Sequence, residues 1–79
     1  MLAKKTFDAT SIGSMGTMTM TSLVSVGASA DESGYERFAA EVAVLEEMEQ
    51  QGKLRIDYRH QESSTGKRYV DLVRFTRLT

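Results

Sequence analysis

Apolar residues between positions 33 and 52 recur at the spacing of an α-helix. The predicted buried face contains residues separated by three or four positions: Tyr35, Phe38, Val42 and Leu45. Ala39, which follows Phe38, lies on the same face. Ser33 and Glu36 have the spacing of a capping box, in which each side chain accepts a hydrogen bond from the backbone amide of the other residue. Gly52 can adopt the left-handed conformation that ends a helix. The pattern therefore predicts a helix over residues 34–51.

After the helix the pattern changes to strict alternation. Leu54, Ile56 and Tyr58 alternate with charged residues, which predicts a strand that buries these three side chains on one face. A polar loop follows, and residues 68–78 are rich in Val, Tyr, Phe and Thr, as expected for a second strand. The two strands are predicted to form an antiparallel hairpin over residues 53–78.

Side-chain chemistry selects one pairing register for this hairpin. Pairing Leu54 with Leu72 places apolar residues opposite each other. The same register places Arg55 opposite Asp71, whereas a shift of two positions would oppose Asp57 and Asp71, two like charges. The apolar residues of the second strand also change phase, which predicts a bulge near Leu72 or a strand covered on both sides.

The first 30 residues show no sustained helical period, because glycines interrupt the run and threonine favours strands. They predict a short strand over Thr6–Ile12 and a longer one over residues 17–26, joined by a turn at Gly13–Gly16 into an N-terminal strand hairpin. The element order is then β-β-α-β-β. The predicted fold class is α+β, with a four-stranded antiparallel sheet and one covering helix.

Length and composition are those of one small folded domain. With 79 residues the chain can form a single domain, residues 1–79, around one core. Its 41% hydrophobic and 27% charged residues fit a folded chain rather than a disordered one. There is no cysteine, and no run approaches the ~20 apolar residues of a membrane helix. We expect a cytoplasmic protein that does not cross a membrane.

Charge is divided sharply at Gly52, although the formal net charge is only -1. Residues 31–51 contain seven acidic residues and one basic residue, Arg37. Residues 52–79 contain seven basic and three acidic residues. An acidic helix followed by a basic hairpin predicts two electrostatic faces, and a face of one sign steers partners of the other sign.

Residues that support catalysis or metal binding are few. His60 is the only histidine, with no cysteine or second histidine at ligand spacing. The chain lacks a Gly-x-Ser-x-Gly motif, and its acidic residues do not alternate as the oxygen ligands of a calcium loop do. We therefore expect a protein that is not an enzyme, with no cofactor and no catalytic, cofactor-binding or metal-binding residues.

The helix and the basic hairpin together resemble the last third of a winged-helix domain. In such a domain a recognition helix enters the major groove of DNA and the hairpin forms the wing. Two features depart from this pattern. Residues 1–30 do not predict the two preceding helices, and the helix carries Glu41, Glu46, Glu47 and Glu49, which phosphate would repel. We therefore assign no family on this resemblance.

The leading hypothesis is a small binding module that contacts an anionic partner, with nucleic acid as one candidate, through the basic hairpin. Its cations would neutralise phosphates, and its aromatic side chains would stack on bases. The same cations could instead keep an exposed edge hairpin soluble. The predicted contact residues are Arg55, Arg59, Lys67, Arg68, Tyr69 and Arg74.

The alternative is a protein-interaction or self-associating module. An exposed strand edge, such as that of residues 17–26, would add to the sheet of a protein partner or of a second copy to give a homodimer. Strand addition depends little on salt, whereas phosphate binding weakens steeply as salt is added. Salt dependence therefore separates the two hypotheses.

Overall fold

Three helices pack against one face of a three-stranded antiparallel sheet in the computed structural model, which describes residues 1–79. The elements are α1 (Leu2–Ala9), β1 (Met15–Thr19), α2 (Met20–Ser25), α3 (Glu32–Gln50), β2 (Leu54–Gln61) and β3 (Val70–Arg77). Strand β3 lies in the centre, between β1 and β2. The fold is α+β, but the prediction of four strands with one covering helix in the order β-β-α-β-β is wrong.

The predicted strand over Thr6–Ile12 is replaced by the end of α1 and the turn after it. Ala3 and Phe7 lie four residues apart and are both buried, as on one face of a helix. A helix of eight residues is too short to be stable alone, so packing decides whether it forms. Glu41 of α3 supports α1, because its Oε1 accepts a hydrogen bond from the Ala3 amide at 2.8 Å.

The predicted strand over residues 17–26 is divided at Thr19 into strand β1 and helix α2. The Thr19 hydroxyl accepts a hydrogen bond from the Ser22 amide at 3.1 Å, which caps the start of α2. Met20 and Leu23, three residues apart, are the buried residues of this helix. Met20 fits the Met–Thr alternation of a strand and the first position of a helix equally well, so periodicity did not locate the boundary.

Helix α3 runs over Glu32–Gln50, close to the predicted 34–51. Its N-cap is Asp31 rather than Ser33, because the Asp31 carboxylate accepts hydrogen bonds from the amides of Ser33 at 3.1 Å and Gly34 at 3.3 Å. The Ser33 hydroxyl also donates to Asp31, at 2.6 Å. This hydroxyl is the main reason that the pKa of Asp31 lies below its usual value.

Two helices, α1 and α2, precede α3, so the expectation that residues 1–30 contain no helices is wrong. One of the two departures noted above is therefore absent from the structure. The other remains in part, because Glu46 and Glu47 are exposed on α3, as are Glu32 and Glu36, whereas Glu41 is buried and Glu49 is half-buried. A helix with this surface is poorly suited to lie against phosphates, and the topology alone does not assign a family.

The C-terminal hairpin is present, but its register differs from the predicted one. Leu54 lies opposite Arg77 rather than Leu72, and Arg55 is not opposite Asp71. The observed partner of Leu54 lies five positions from the predicted one. Because five is an odd number, the side of β3 that faces the core is opposite to the predicted side. Both sides of β3 carry apolar residues, and side-chain pairing rules did not distinguish them.

Two bulges interrupt the pairing of β2 with β3. Asp57 in β2 and Asp71 in β3 have no directly opposed residue. The bulge at Asp71 confirms the one predicted near Leu72. The bulge at Asp57 reverses the alternation of β2, so Tyr58, which was predicted to be buried, is 48% exposed.

One hydrophobic core lies between the helices and the sheet. It contains 13 buried residues, drawn from every element of the fold. Its largest fully buried side chains are Phe38, Phe75, Met18, Leu23, Leu45, Leu54 and Val73. The opposite face of the sheet carries no helix.

Candidate binding surface

The uncovered face of the sheet presents three rows of opposed side chains. The rows are Met15–Thr76–Arg55, Thr17–Arg74–Tyr58 and Thr19–Leu72–His60. We call these nine residues the outer sheet face. All nine are exposed or half-buried, because they alternate along β1 and β3 with the core residues Met18, Val73 and Phe75.

Tyr58 and Arg74 lie at the centre of the outer sheet face. The Arg74 guanidinium lies 6.0 Å from the centroid of the Tyr58 ring, at the limit of a cation–π contact. Arg74 is exposed and forms no ion pair. Both side chains are therefore available to a partner, and the Asp57 bulge is what places the tyrosine there.

Two aspartates contact Arg55 and His60 of this surface. Asp57 Oδ1 accepts a hydrogen bond from Arg55 Nε at 2.7 Å, and Asp57 Oδ2 accepts one from the Thr76 hydroxyl at 2.6 Å. The Thr76 bond, followed by the Arg55 bond, lowers the pKa of Asp57. At the other end of the face, Asp71 Oδ1 lies 2.7 Å from His60 Nδ1. The outer sheet face contains no lysine and no glutamate.

Two cations predicted to bind a partner are instead paired with helix α3. Arg59 Nη2 lies 3.0 Å from Glu46 Oε2, and Lys67 Nζ lies 2.7 Å from Glu32 Oε1. The Glu32 bond raises the pKa of Lys67. The acidic helix therefore meets the basic hairpin inside one chain, at two exposed ion pairs.

The other predicted contact residues have different surroundings. The Tyr69 ring stacks on Tyr35, with centroids 5.3 Å apart and planes 4° apart, so one face of the ring is occupied. Arg68 is exposed, forms no ion pair and has a left-handed backbone with φ of 55°. Of the five predicted contact cations, only Arg68 and Arg74 lack an ion pair.

The loop that carries Arg68 is built around a buried carboxylate. Glu62 is 5% exposed and accepts hydrogen bonds from the amides of Thr65 at 3.0 Å and Tyr69 at 3.2 Å. It also accepts a bond from the Thr65 hydroxyl, which is the main cause of its lowered pKa. Glu62 was not predicted to have a role, because nothing in a polar loop sequence distinguishes a buried carboxylate from an exposed one.

Exposed apolar side chains extend the outer sheet face at one end. Met15 is 59% exposed, Ile12 66% and Leu78 46%. The backbone holds the end of β3 beside the turn before β1, because the Gly13 amide donates to the Arg77 carbonyl at 2.7 Å. The sequence pattern placed Met15 in the turn before a strand, whereas it is the first residue of β1.

No group of His, Asp or Glu side chains comes together in a geometry that would hold a metal ion. None of the three helices has the length and apolar character needed to cross a bilayer. Comparison of the chain with models of protein families, with curated proteins and with solved structures gives no match. Function is therefore inferred from the surface itself.

Proposed function

We propose that this chain is a binding module that recognises a protein partner through the outer sheet face. The observation that carries the proposal is the exposed pair of Tyr58 and Arg74 at the centre of an uncovered sheet. Tyrosine and arginine are among the residues that contribute most binding energy at protein interfaces.

The composition of the face also supports a protein partner. Interface centres are enriched in aromatic residues, methionine and arginine and depleted of lysine and glutamate. Tyr58, Met15 and two arginines match this composition, and the aspartates beside Arg55 and His60 leave the face without a strong net charge. Such a face suits a partner of mixed polarity better than a polyanion.

The test is affinity capture from an extract of the source cells, with nuclease added, by immobilised wild-type protein and by Tyr58→Ala/Arg74→Ala. Arg37→Ala is the matched control, because Arg37 is exposed on α3 and also lacks an ion pair. We expect proteins that are retained by the wild type and the control to be lost with the double variant. Equal capture by all three proteins would refute the proposal.

A second candidate, an anionic partner, is favoured by the free cations Arg68 and Arg74. Phosphate contacts would make such binding strongly dependent on salt. Fluorescence anisotropy with labelled single-stranded and double-stranded oligonucleotides, at about 50 and about 200 mM salt, tests it. Micromolar binding that weakens at least ~10-fold at the higher salt, and that Arg68→Ala reduces, would support this candidate over the first.

A further inference from the structure

A groove of about 600 Å³ adjoins the last row of the outer sheet face. Met20 and Val24 of α2 and Leu72 of β3 provide its apolar lining, and His60 and Asp71 lie at its polar side. Thr19, Leu72 and His60 belong to both the groove and the outer sheet face. A partner that covers the face would therefore reach the groove.

The polar side of the groove is a carboxylate with one free oxygen. Asp71 Oδ1 is engaged by His60 Nδ1, whereas Asp71 Oδ2 has no hydrogen-bond partner in the protein. No lysine or arginine lines the groove. Apolar walls beside a negatively charged hydrogen-bond acceptor suit a ligand group with an apolar stem and a cationic end.

Tyr35 provides a fixed aromatic surface in the same groove. Its ring lines the groove and is held in position by its stack on Tyr69. A planar guanidinium stacks on aromatic rings and pairs with carboxylates, which an ammonium ion does less well. The stem of an arginine would pack on apolar side chains such as Met20.

We propose that the groove receives an arginine side chain from the protein partner that covers the outer sheet face. The inference depends on the proposed function and adds the chemistry of the partner's anchoring residue. The guanidinium pairs with Asp71 and lies against Tyr35, and the stem contacts Met20 and Leu72.

The test is an NMR titration of the full chain with N-acetyl-arginine N-methylamide near neutral pH. N-acetyl-norleucine N-methylamide, which has an apolar stem but no charge, is the control probe. We expect the methyl resonances of Met20, Val24 and Leu72 to shift with the arginine probe and to saturate in the millimolar range. Asp71→Asn should weaken this binding about fivefold or more, because the ligand loses a charged acceptor.

Asp8→Asn is the matched variant, since Asp8 is exposed on α1 and lies outside the groove. It should leave the arginine titration unchanged. Val24→Lys, at a half-exposed position, should abolish binding by placing a cation in the groove without altering the core. Equal affinity for the two probes, or no effect of Asp71→Asn and Val24→Lys, would overturn the inference.

This titration can fail independently of the proposed function. If capture of protein partners depends on Tyr58 and Arg74 but the arginine probe does not bind, only the groove assignment is wrong. If capture does not depend on Tyr58 and Arg74, the outer sheet face itself is not the contact surface, whatever the titration shows.

Discussion

Gly34 lies in the first turn of α3, where neighbouring atoms leave no room for a side chain. A Cβ at this position would overlap the carbonyl oxygen of Ser29 and lie 2.7 Å from Cε of Met20. Replacing glycine by alanine in a helix normally stabilises it by up to ~1 kcal/mol. At Gly34 we expect the opposite, a loss of about 1–3 kcal/mol in the free energy of unfolding measured with urea.

Ala40→Gly is the comparison for this prediction, because Ala40 is exposed in the same helix. Helix propensity alone predicts that the two substitutions change the free energy of unfolding in opposite directions. The contact with Ser29 predicts that both substitutions lower it. A higher unfolding free energy for Gly34→Ala would show that the close approach of the backbone to Gly34 is not maintained in solution.

Arg68 adopts a backbone conformation that is unfavourable for any residue with a Cβ. Its φ of 55° lies in the left-handed region, which costs roughly 1–2 kcal/mol for most residues other than glycine. We expect Arg68→Gly to raise the free energy of unfolding by about 0.5–1 kcal/mol, because the gain in the unfolded chain's entropy offsets part of this relief. Arg68→Ala removes the charge but keeps the strain, so it should not stabilise. Equal urea midpoints for Arg68→Gly and Arg68→Ala would contradict the argument.

At the scale of elements, helix α1 is held by contacts with the rest of the molecule rather than by its own sequence. The Glu41 carboxylate, only 8% exposed, accepts the Ala3 amide at the start of α1. A negative group at this position also complements the helix dipole. We expect Glu41→Ala to cost about 1–2 kcal/mol, as for the loss of a helix cap, and to accelerate hydrogen exchange in α1.

Glu41→Gln retains an acceptor without the charge and should have a smaller effect than Glu41→Ala. Glu47→Ala is the control, because Glu47 is exposed on the same helix. If Glu41→Ala leaves the exchange rates of α1 as slow as those of the control, the cap does not hold the helix.

The edge of strand β2 is protected by a side chain of α3. Glu49 Oε2 accepts a hydrogen bond from the Ile56 amide at 2.7 Å, so this amide is not free to pair with another strand. Unpaired edge amides are the usual starting point for strand addition. We expect Glu49→Ala to increase self-association, observed as a concentration-dependent dimer in sedimentation velocity. Glu49→Gln keeps the hydrogen-bond acceptor and should sediment like the wild type. If Glu49→Ala and Glu49→Gln are both monomers at high concentration, Glu49 does not protect this edge.

At the scale of the whole molecule, opposite charges are paired between the acidic helix and the basic hairpin, and hydrogen bonds hold several carboxylates ionised. The pKa of Asp31 and that of Asp57 lie below 3.8, and the pKa of Glu62 lies below 4.5, because hydroxyl and amide groups donate to the ionised forms. The unfolded chain therefore binds protons at higher pH than the folded one. Stability from these groups is fully present at pH values well above the unfolded-state pKa values and is lost as the pH falls through the lower folded-state pKa values.

We therefore expect the urea midpoint to fall between about pH 5 and about pH 2.5. Glu62→Gln, which cannot ionise, should show a shallower fall over this range. The pH dependence of the stability contributed by Lys67 has the opposite sign. Its raised pKa stabilises the fold below about pH 10.5, and this stability is lost at higher pH. A urea midpoint that does not change in acid would show that these carboxylates do not contribute to folding.

Part of the outer sheet face could be predicted from sequence, because the charge pattern selected Arg55 and Arg74, and both lie on that face. Tyr58 was assigned to the core, since alternation along β2 has no signal for the bulge at Asp57 that turns it outward. Arg59 and Lys67 were predicted to be free, and only the packing of α3 beside the hairpin shows that glutamates neutralise them.

The sequence by itself determined helix α3 and the two strands of the C-terminal hairpin. Helix α3 has a helical period sustained over its length, and the two strands are rich in β-favouring residues that a polar loop separates. Tertiary structure alone decided α1 and α2, which have eight and six residues and need packing and caps to form. It also decided the register of β3, because both sides of that strand are apolar and only the helices show which side is covered.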